Sequence, residues 1–512
     1  MSKARGPRVI VVGAGLGGLA AAIELAHAGC RVRLQEALDR PGGKAGVVTC
    51  DGVELDTGPS LLTLPDVAFA LLDRLPGGRD RLRLRRPSPA FRYLYVDGAV
   101  VDVFVEPEAT LASVRASLGA EAAEDLQGFL DYSRQIWEAA APPFVFGPAP
   151  ELSNLFGLAQ GWSALGALRH IDPLRTMKTA IHGRIRSPHL RMLLERYATY
   201  NGSDVRAAPA TLNCIAHVEL SLGGFGVEGG IGALVEALTA VAVGLGVELH
   251  LGAPVAGLRV EGGRARGIRL SNGAEIDADA VVVNADVASL SEGPGGSEGP
   301  EGGLLPAAHR RAVPAPATPS MSGWTALFKA RRRPDRVAHT VIFPADYGQE
   351  MVDLFDHGRP PEAPTVYVCA QEVAHGRRGW AEEEPLFVMV NAPAEPRSGP
   401  SPTDGARLCA LARRQLEAAG LLLPSDTLLW ERDPAGLAAT FPGSRGAIYG
   451  AASNSPTAAF ARPANRVRAL PGLYLASGGA HPGGGMPLVM MSGRLAAAAL
   501  LQDHPAAAWS RP

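Results

Sequence analysis

The chain opens on a run of β-branched residues, Arg8-Val-Ile-Val-Val12, followed by Leu16 to Ala28, rich in Ala, Leu and Ile at helical spacing. Gly29 then ends the predicted helix, and Arg31-Val-Arg-Leu-Gln-Glu36 reads as a second strand. Strand, turn, helix and strand within about 30 residues is the pattern of a βαβ crossover. A second block spans about 226 to 290. Here Gly232 to Leu245 predicts a helix, Val247 to Leu251 and Val255 to Val260 predict strands, and Ala265 to Leu270 pairs with the latter. Asn272-Gly273 marks a hairpin turn, and Ala280-Val-Val-Val-Asn284 reads as a buried strand ending in polar residues. A third block, 470 to 502, returns to strand, Gly-rich turn and Ala-rich helix.

The stretches between these blocks are poorer in glycine and carry most of the tryptophans. They predict a second domain, 71–214 and 304–429, intertwined with a first built from 1–70, 215–290 and 430–512. Residues 291–303 are low-complexity, rich in Gly, Pro, Ser and Glu, and read as a mobile surface loop. Lys3, Arg5 and Arg8 ahead of the apolar stretch Val9 to Ala22 imitate a secretory leader, but its four glycines and the following Glu24 and His27 fit strand, turn and helix better. No apolar stretch reaches the roughly 18 residues of a transmembrane helix. The chain is expected to be cytoplasmic, in solution or peripheral to the cytoplasmic membrane.

The length of 512 residues, 46 % hydrophobic, suits two domains with a large core. Lys plus Arg is 49 and Asp plus Glu is 51, a formal net charge of −2, which excludes a dominant nucleic-acid footprint. The five cysteines, at 30, 50, 214, 369 and 409, form no Cys-x-x-Cys pair. That scatter predicts neither a disulfide framework nor a zinc cluster.

Four motifs carry chemistry. Gly13-Ala14-Gly15-Leu16-Gly17-Gly18 follows a strand and opens a helix, and Glu36 lies 18 residues beyond it. Gly13 suits the tight turn, Gly15 admits a pyrophosphate to the backbone, Gly18 lets helix and strand pack, and the helix N-terminus offers free N–H groups. Glu36 accepts hydrogen bonds from ribose hydroxyls and repels a 2′-phosphate, so FAD or NAD is favoured over NADP. Second, Arg40-Pro-Gly42-Gly43-Lys44 offers backbone without side chains and two cations towards phosphate. Third, Asp56-Thr-Gly58-Pro59-Ser60 suggests close backbone, although a plain loop turn is the simpler reading. Fourth, Ser477-Gly478-Gly479-Ala-His481-Pro-Gly483-Gly484-Gly485-Met486-Pro487 runs from a strand into a helix, a second helix N-terminus suited to negative charge on a reduced flavin.

Together these segments resemble the FAD-dependent carotenoid desaturases, within the amine-oxidase-like flavoproteins. Arg196-Tyr-Ala-Thr-Tyr-Asn-Gly-Ser-Asp204, Gly224-Phe-Gly-Val-Glu-Gly-Gly-Ile-Gly-Ala-Leu234 and Asn284-Ala-Asp286 are similar to further segments of that family. Met486-Pro487 with Ser492-Gly493-Arg494, and Tyr449-Gly450 through Ser455 to Phe460-Ala-Arg-Pro463, look more like hydroxycarotenoid 3,4-desaturases than phytoene desaturases. The resemblance implies an α/β fold, with a Rossmann-like FAD-binding domain beside a mixed α+β substrate domain. It also implies a cofactor-binding set drawn from the four motifs together with Val255.

The implied chemistry is oxidation of a C–C bond beside a polyene, with a carotenoid as substrate and quinone or oxygen as final electron acceptor. Charge spread over conjugated double bonds removes the need for a strong base, and the cofactor carries the hard chemistry. No acid–base pair stands out. Around Glu151-Leu-Ser-Asn154, where some relatives pair an acid with an arginine, no arginine is near. His481, Tyr449 and Arg445 are the candidates, each with a structural role as the plainer reading. A phytoene desaturase is the main alternative. An amine or porphyrinogen oxidase, or a non-catalytic lipid-binding protein of the Rab-escort type, is the more remote one. Leu152, Leu155, Phe156, Leu158, Trp162, Leu165 and Leu168, followed by Arg169, Arg175, Lys178, Arg184 and Arg186, suggest a basic amphipathic segment for a membrane surface. Arg331-Arg-Arg333 and Arg81-Leu-Arg-Leu-Arg-Arg86 are further candidates for anionic lipid.

Overall fold

The computed structural model of the chain describes residues 6–150, 171–292, 302–313, 318–455 and 462–505. Five parallel strands form one sheet, in the order Leu473–Leu475, Ala280–Val283, Arg8–Val12, Arg31–Gln35, Glu248–His250. Both faces are covered, so the central strand is apolar without alternation. Val9 and Val11 pack beneath the helices Leu16–His27, Ile231–Gly244 and Met486–Asp503. Ile10 and Val12 face an antiparallel meander, Val255–Glu261, Arg264–Leu270 and Glu275–Asp277. The predicted hairpin turn lies within this meander, with Gly273 at φ +85°. Helices Leu16–His27 and Met486–Asp503 meet at glycine, because a Cβ on Gly493 would fall 2.1 Å from the Gly17 carbonyl oxygen.

A second sheet has seven strands, in the order Thr427–Arg432, Ser322–Arg331, Glu383–Ala392, Val366–Ala370, His339–Ile342, Phe91–Leu94, Val100–Val103. All neighbours are antiparallel except His339–Ile342 with Phe91–Leu94. The helix Gly405–Ala418 supplies Leu408, Ala412 and Leu416 to a core under this sheet. Helices from Pro107 to Glu195 pack with Phe91, Tyr93 and Val101 in another. The molecule is thus α/β with an attached mixed α+β part, as the sequence implied.

The basic stripe looks different in three dimensions. Leu152 through Arg169 and the Glu151–Asn154 stretch lie outside the described residues. Arg175 pairs with Asp172, Arg186 with Asp125 at 2.7 Å, and the Arg184 guanidinium sits 3.8 Å from the Tyr132 ring centroid. Arg332 pairs with Glu372 and Arg333 with Asp335, both at 2.9 Å. Arg86 stands over the Phe225 ring. Paired in this way, these residues leave less free positive charge for anionic lipid than their spacing suggested. Within 291–303, residues 293–301 also lie outside the described residues. Glu292 is buried and bonded to Arg397 at 2.6 Å, so that end of the segment is packed, contrary to a surface loop.

Candidate active site

The first glycine loop is shaped by contacts that leave no room for side chains. Gly13 takes φ +96°. A Cβ on Gly15 would lie 2.6 Å from the Asn284 side-chain oxygen, and one on Gly18 would lie 1.9 Å from the Gly13 carbonyl oxygen. Asn284 ends its strand beside this loop, and its amide donates to the Ala476 carbonyl of the C-terminal strand. The Gly42 N–H donates to the Ala14 carbonyl at 2.9 Å, and Gly43 lies against Gly15. The first two glycine motifs therefore pack on each other. The Glu36 carboxylate is buried at the strand tip and accepts from the N–H groups of Ala14 (2.6 Å) and Leu38 (3.0 Å).

One cavity of about 930 Å³ runs past these loops. On its lining stand Gly13, Gly15, Leu16, Glu36, Gly42, Gly43, Lys44, Gly58, Pro59, Ser60 and Val255. Gly478, Gly479, His481, Gly485, Met486, Pro487 and Tyr449 join them from the C-terminal part. The sequence motifs from the two ends of the chain thus meet at one hollow. Trp137, Phe144, Cys214, Ile215 and Val218 add apolar lining. Ala14, Gly17 and Gly18 sit behind the lining, where they serve loop geometry and packing. Arg40 is not on the lining either and spends its charge on Glu54 and Asp39. Arg445 is likewise off the cavity, with φ +52° and its Nε donating to the Glu395 carbonyl at 2.8 Å.

Lys44 is on the lining, and its ammonium donates to the Ala447 carbonyl at 2.7 Å and the Ile448 carbonyl at 3.3 Å. Burial lowers its pKa, partly opposed by Asp286. Burial also lowers Arg432 and Arg462, each to about 10, and both line the same cavity. The Arg462 guanidinium gathers the Gly478 carbonyl (2.9 Å), the Ala451 carbonyl (3.0 Å) and the Asn201 side chain (3.1 Å). Sequence reasoning had not singled out Arg432 or Arg462. A cation whose charged form is disfavoured by burial gains from a nearby anion.

His481 has its Nε2 3.0 Å from the Gly147 carbonyl oxygen, which places the proton on that nitrogen. Burial lowers its pKa, so it rests neutral, and Nε2 is committed as a donor. Burial pushes the Tyr449 phenol up to about 12, so it too stays uncharged. Ser60 and the Tyr367 hydroxyl lie 2.5 Å apart, and Tyr367 reaches His339 Nδ1 at 2.8 Å. Arg196 also lines the cavity, buried among tyrosine rings.

These residues fit FAD on grounds of shape and charge. The glycine loop admits phosphate oxygens to the N-terminus of Leu16–His27, which has no capping side chain and no acidic residue in its first turn. Glu36 stands where a ribose is expected, and the 18-residue helix Met486–Asp503 begins at the cavity with Gly485, Met486 and Pro487. The buried cations Lys44, Arg432 and Arg462 suit an anionic cofactor.

Comparison with known proteins agrees. The chain is 35 % identical over 507 residues to hydroxyneurosporene desaturase of Cereibacter sphaeroides, covering 97 % of this chain and 98 % of that protein. It is 29 % identical to the zeta-carotene-forming phytoene desaturase of Myxococcus xanthus, covering 96 % and 94 %. Among solved structures, an oxidoreductase from Methanosarcina mazei superposes with a TM-score of 0.59 at 16 % identity, covering 97 % of this chain and all of that one, a likeness of fold. The flavin containing amine oxidoreductase family matches residues 16–371, from the last residues of the glycine loop through Glu36 and most strands of both sheets. By that match and by its near-full-length relatives, the chain belongs to the flavin containing amine oxidoreductases.

Proposed function

We propose that the chain is an FAD-dependent carotenoid desaturase that introduces the 3,4 double bond of a 1-hydroxylated acyclic carotenoid. The observation that carries this reading is the 35 % identity over nearly the whole chain to a hydroxyneurosporene desaturase, against 29 % to the phytoene desaturase. The cavity supports it, because apolar walls extend beyond the glycine loops to Trp137, Phe144 and Val218. We assign the glycine motifs, Glu36 and Val255 to the cofactor, and the hollow between the two sheets to the polyene.

FAD, when bound, supplies the hydride acceptor, and quinone or oxygen is the class of final oxidant. The chain itself has to orient one C–C bond, keep water out and let one proton leave. The apolar wall holds the polyene, and a polyene spreads the positive charge of its own oxidation over many carbons. Neither Tyr449, kept protonated by burial, nor His481, bound through Nε2, is poised as a strong base. The two residues are assigned to shaping the C-terminal glycine turn. A Cβ on Gly484 would meet the Tyr449 Cβ at 2.7 Å.

Expression in bacterial hosts that each accumulate one carotenoid tests the assignment. A host making a 1-hydroxylated acyclic carotenoid should yield a product with one more conjugated double bond, seen by chromatography and a longer-wavelength spectrum. A host making only phytoene should stay colourless. Coloured products from phytoene would replace this reading with that of a phytoene desaturase.

The substrate also bears on location. No helix among the described residues is long and apolar enough to cross a membrane. Yet Phe146 is 44 % exposed and packs edge-on against Trp137 of the cavity wall. We place this apolar end at a membrane surface, from which a hydrocarbon enters. The holoprotein should float with neutral phosphatidylcholine vesicles and persist in high salt, since Arg175 and Arg186, among the described residues of the basic stripe, are paired. Phe146→Glu should reduce the floating fraction severalfold. Holoprotein that stays at the bottom of the gradient with every vesicle would remove the membrane from the account.

A further inference from the structure

One feature of the cavity is foreign to a site that takes only hydrocarbon. Arg196 begins the short helix Arg196–Asn201 and is 7 % exposed. Its Nη1 donates to the Tyr200 hydroxyl at 2.9 Å. The guanidinium stands 5.0 Å from the Tyr200 ring centroid, 5.6 Å from that of Tyr367 and 6.0 Å from that of Tyr93. Among the described residues no carboxylate lies within ion-pairing distance of it, and the nearby buried Glu219 is engaged by the Tyr197 hydroxyl at 3.0 Å. Taking a guanidinium out of water is costly, and ring faces return only part of that cost. A hydrocarbon returns none of it.

A positive charge also disfavours the cation that forms along an oxidised polyene. Arg196 is compatible with that chemistry where its N–H groups point their charge at an oxygen. We propose that Arg196, framed by Tyr93, Tyr200 and Tyr367, is a subsite for the hydroxyl oxygen of the substrate, which accepts a hydrogen bond from the guanidinium.

This inference rests on the hydroxycarotenoid reading and adds the residue that selects the bond. In a 1-hydroxylated chain one methylene separates the hydroxyl-bearing carbon from the 3,4 bond, so a hydroxyl subsite has to lie close to the redox centre. The helix that carries Arg196 is tied to the turn we assign to the cofactor. Asn201, at the other end of the same short helix, is held by Arg462, which also holds the Gly478 carbonyl of the C-terminal glycine turn. Anchoring the hydroxyl fixes how far the chain slides in, and thereby which carbons meet the cofactor.

The test compares purified holoenzyme with Arg196→Met, which keeps a long side chain and removes the donors. Binding of a 1-hydroxylated acyclic carotenoid and of its unhydroxylated parent is followed by the change in flavin fluorescence. The wild type should prefer the hydroxylated compound by about tenfold or more, as expected for one hydrogen bond to a buried charge. Arg196→Met should erase that preference and raise KM for the hydroxylated substrate to a similar extent. Its flavin content and its affinity for the parent hydrocarbon should stay close to wild type. A variant that keeps the wild-type preference overturns the subsite. Tyr200→Phe, which removes the oxygen that orients the guanidinium, should lower the preference severalfold, and an unchanged ratio there also counts against the proposal. Because the ratio is read from binding, it is separate from turnover. Preference lost in the variants with no turnover of the hydroxylated compound by the wild type would sink the functional assignment and leave the subsite standing. Turnover with an unchanged ratio would do the reverse.

Discussion

Gly17→Ala should yield a chain that purifies without its flavin absorbance and unfolds at a markedly lower temperature. A Cβ at this position would lie 2.0 Å from the Ala476 carbonyl oxygen and 2.6 Å from the Asn284 amide nitrogen. Neither can retreat cheaply. Ala476 follows a fully buried strand, and Asn284 is bonded to that same carbonyl. Gly17 also abuts the helix Met486–Asp503, where a Cβ on Gly493 would lie 2.1 Å from the Gly17 carbonyl oxygen. Relief of the clash therefore displaces the strand, the helix or the glycine loop, and all three border the cavity we assign to the cofactor. Overpacking of this kind costs about 3 kcal/mol. Gly128→Ala is the matched control, because its Cβ would meet nothing within 4 Å on an exposed helix face. That substitution should be neutral or stabilising by up to about 1 kcal/mol. Thermal unfolding and flavin absorbance of the two variants decide the matter, and equal behaviour would mean the glycine crossing is slack.

Asp56→Ala should be similarly damaging for another reason. The buried Asp56 carboxylate accepts from the N–H groups of Ile231 (2.8 Å) and Gly232 (3.0 Å), and the Arg377 guanidinium lies 3.7 Å away. It caps the helix Ile231–Gly244, whose own N-cap, Gly230, has no side chain to offer. Gln371 holds the Asp56 backbone from both sides, at 3.1 and 2.9 Å. Alanine leaves two buried helix N–H groups without acceptors and a partly buried guanidinium without its nearest carboxylate, a cost of about 3 kcal/mol, most of it from the two N–H groups. Because Thr57 to Ser60 follow directly on the cavity wall, flavin retention should fall as well. Asp56→Asn, which keeps one acceptor oxygen, should recover part of the melting temperature. If alanine and asparagine both melt like the wild type, the cap carries no weight.

Asp56 also shows where sequence reasoning stops. The motif around it looked like a loop turn because its partners lie 175 and 176 residues further on. The first glycine motif was legible because every part of its argument is local: a β-branched run, fixed glycine spacing, a helix and an acid at the next strand tip. The buried strand Ala280–Val283 was legible for the same reason. Arg196 and Arg462 fell within family-like segments, but nothing local assigned either a role. A single arginine reads as surface until tertiary structure buries it, and only then does its charge demand a partner. The seven-stranded sheet was equally hidden, since its neighbours come from as far apart as Phe91 and His339. The basic stripe was legible only in part, and its apolar half lies outside the described residues. Spacing reported the arginines, but not the acids and rings that engage them.

The order of strands in the parallel sheet bears on when this protein can mature. Arg8–Val12 lies between Arg31–Gln35, available early in synthesis, and Ala280–Val283, which in turn pairs with Leu473–Leu475. The cavity we assign to the cofactor also needs the helix that starts at Met486. On the ribosome, the first glycine loop therefore waits through the synthesis of more than four hundred residues for its last wall. Nascent chains must keep an apolar strand edge from aggregating over that interval, and flavin loading becomes an event of the finished polypeptide.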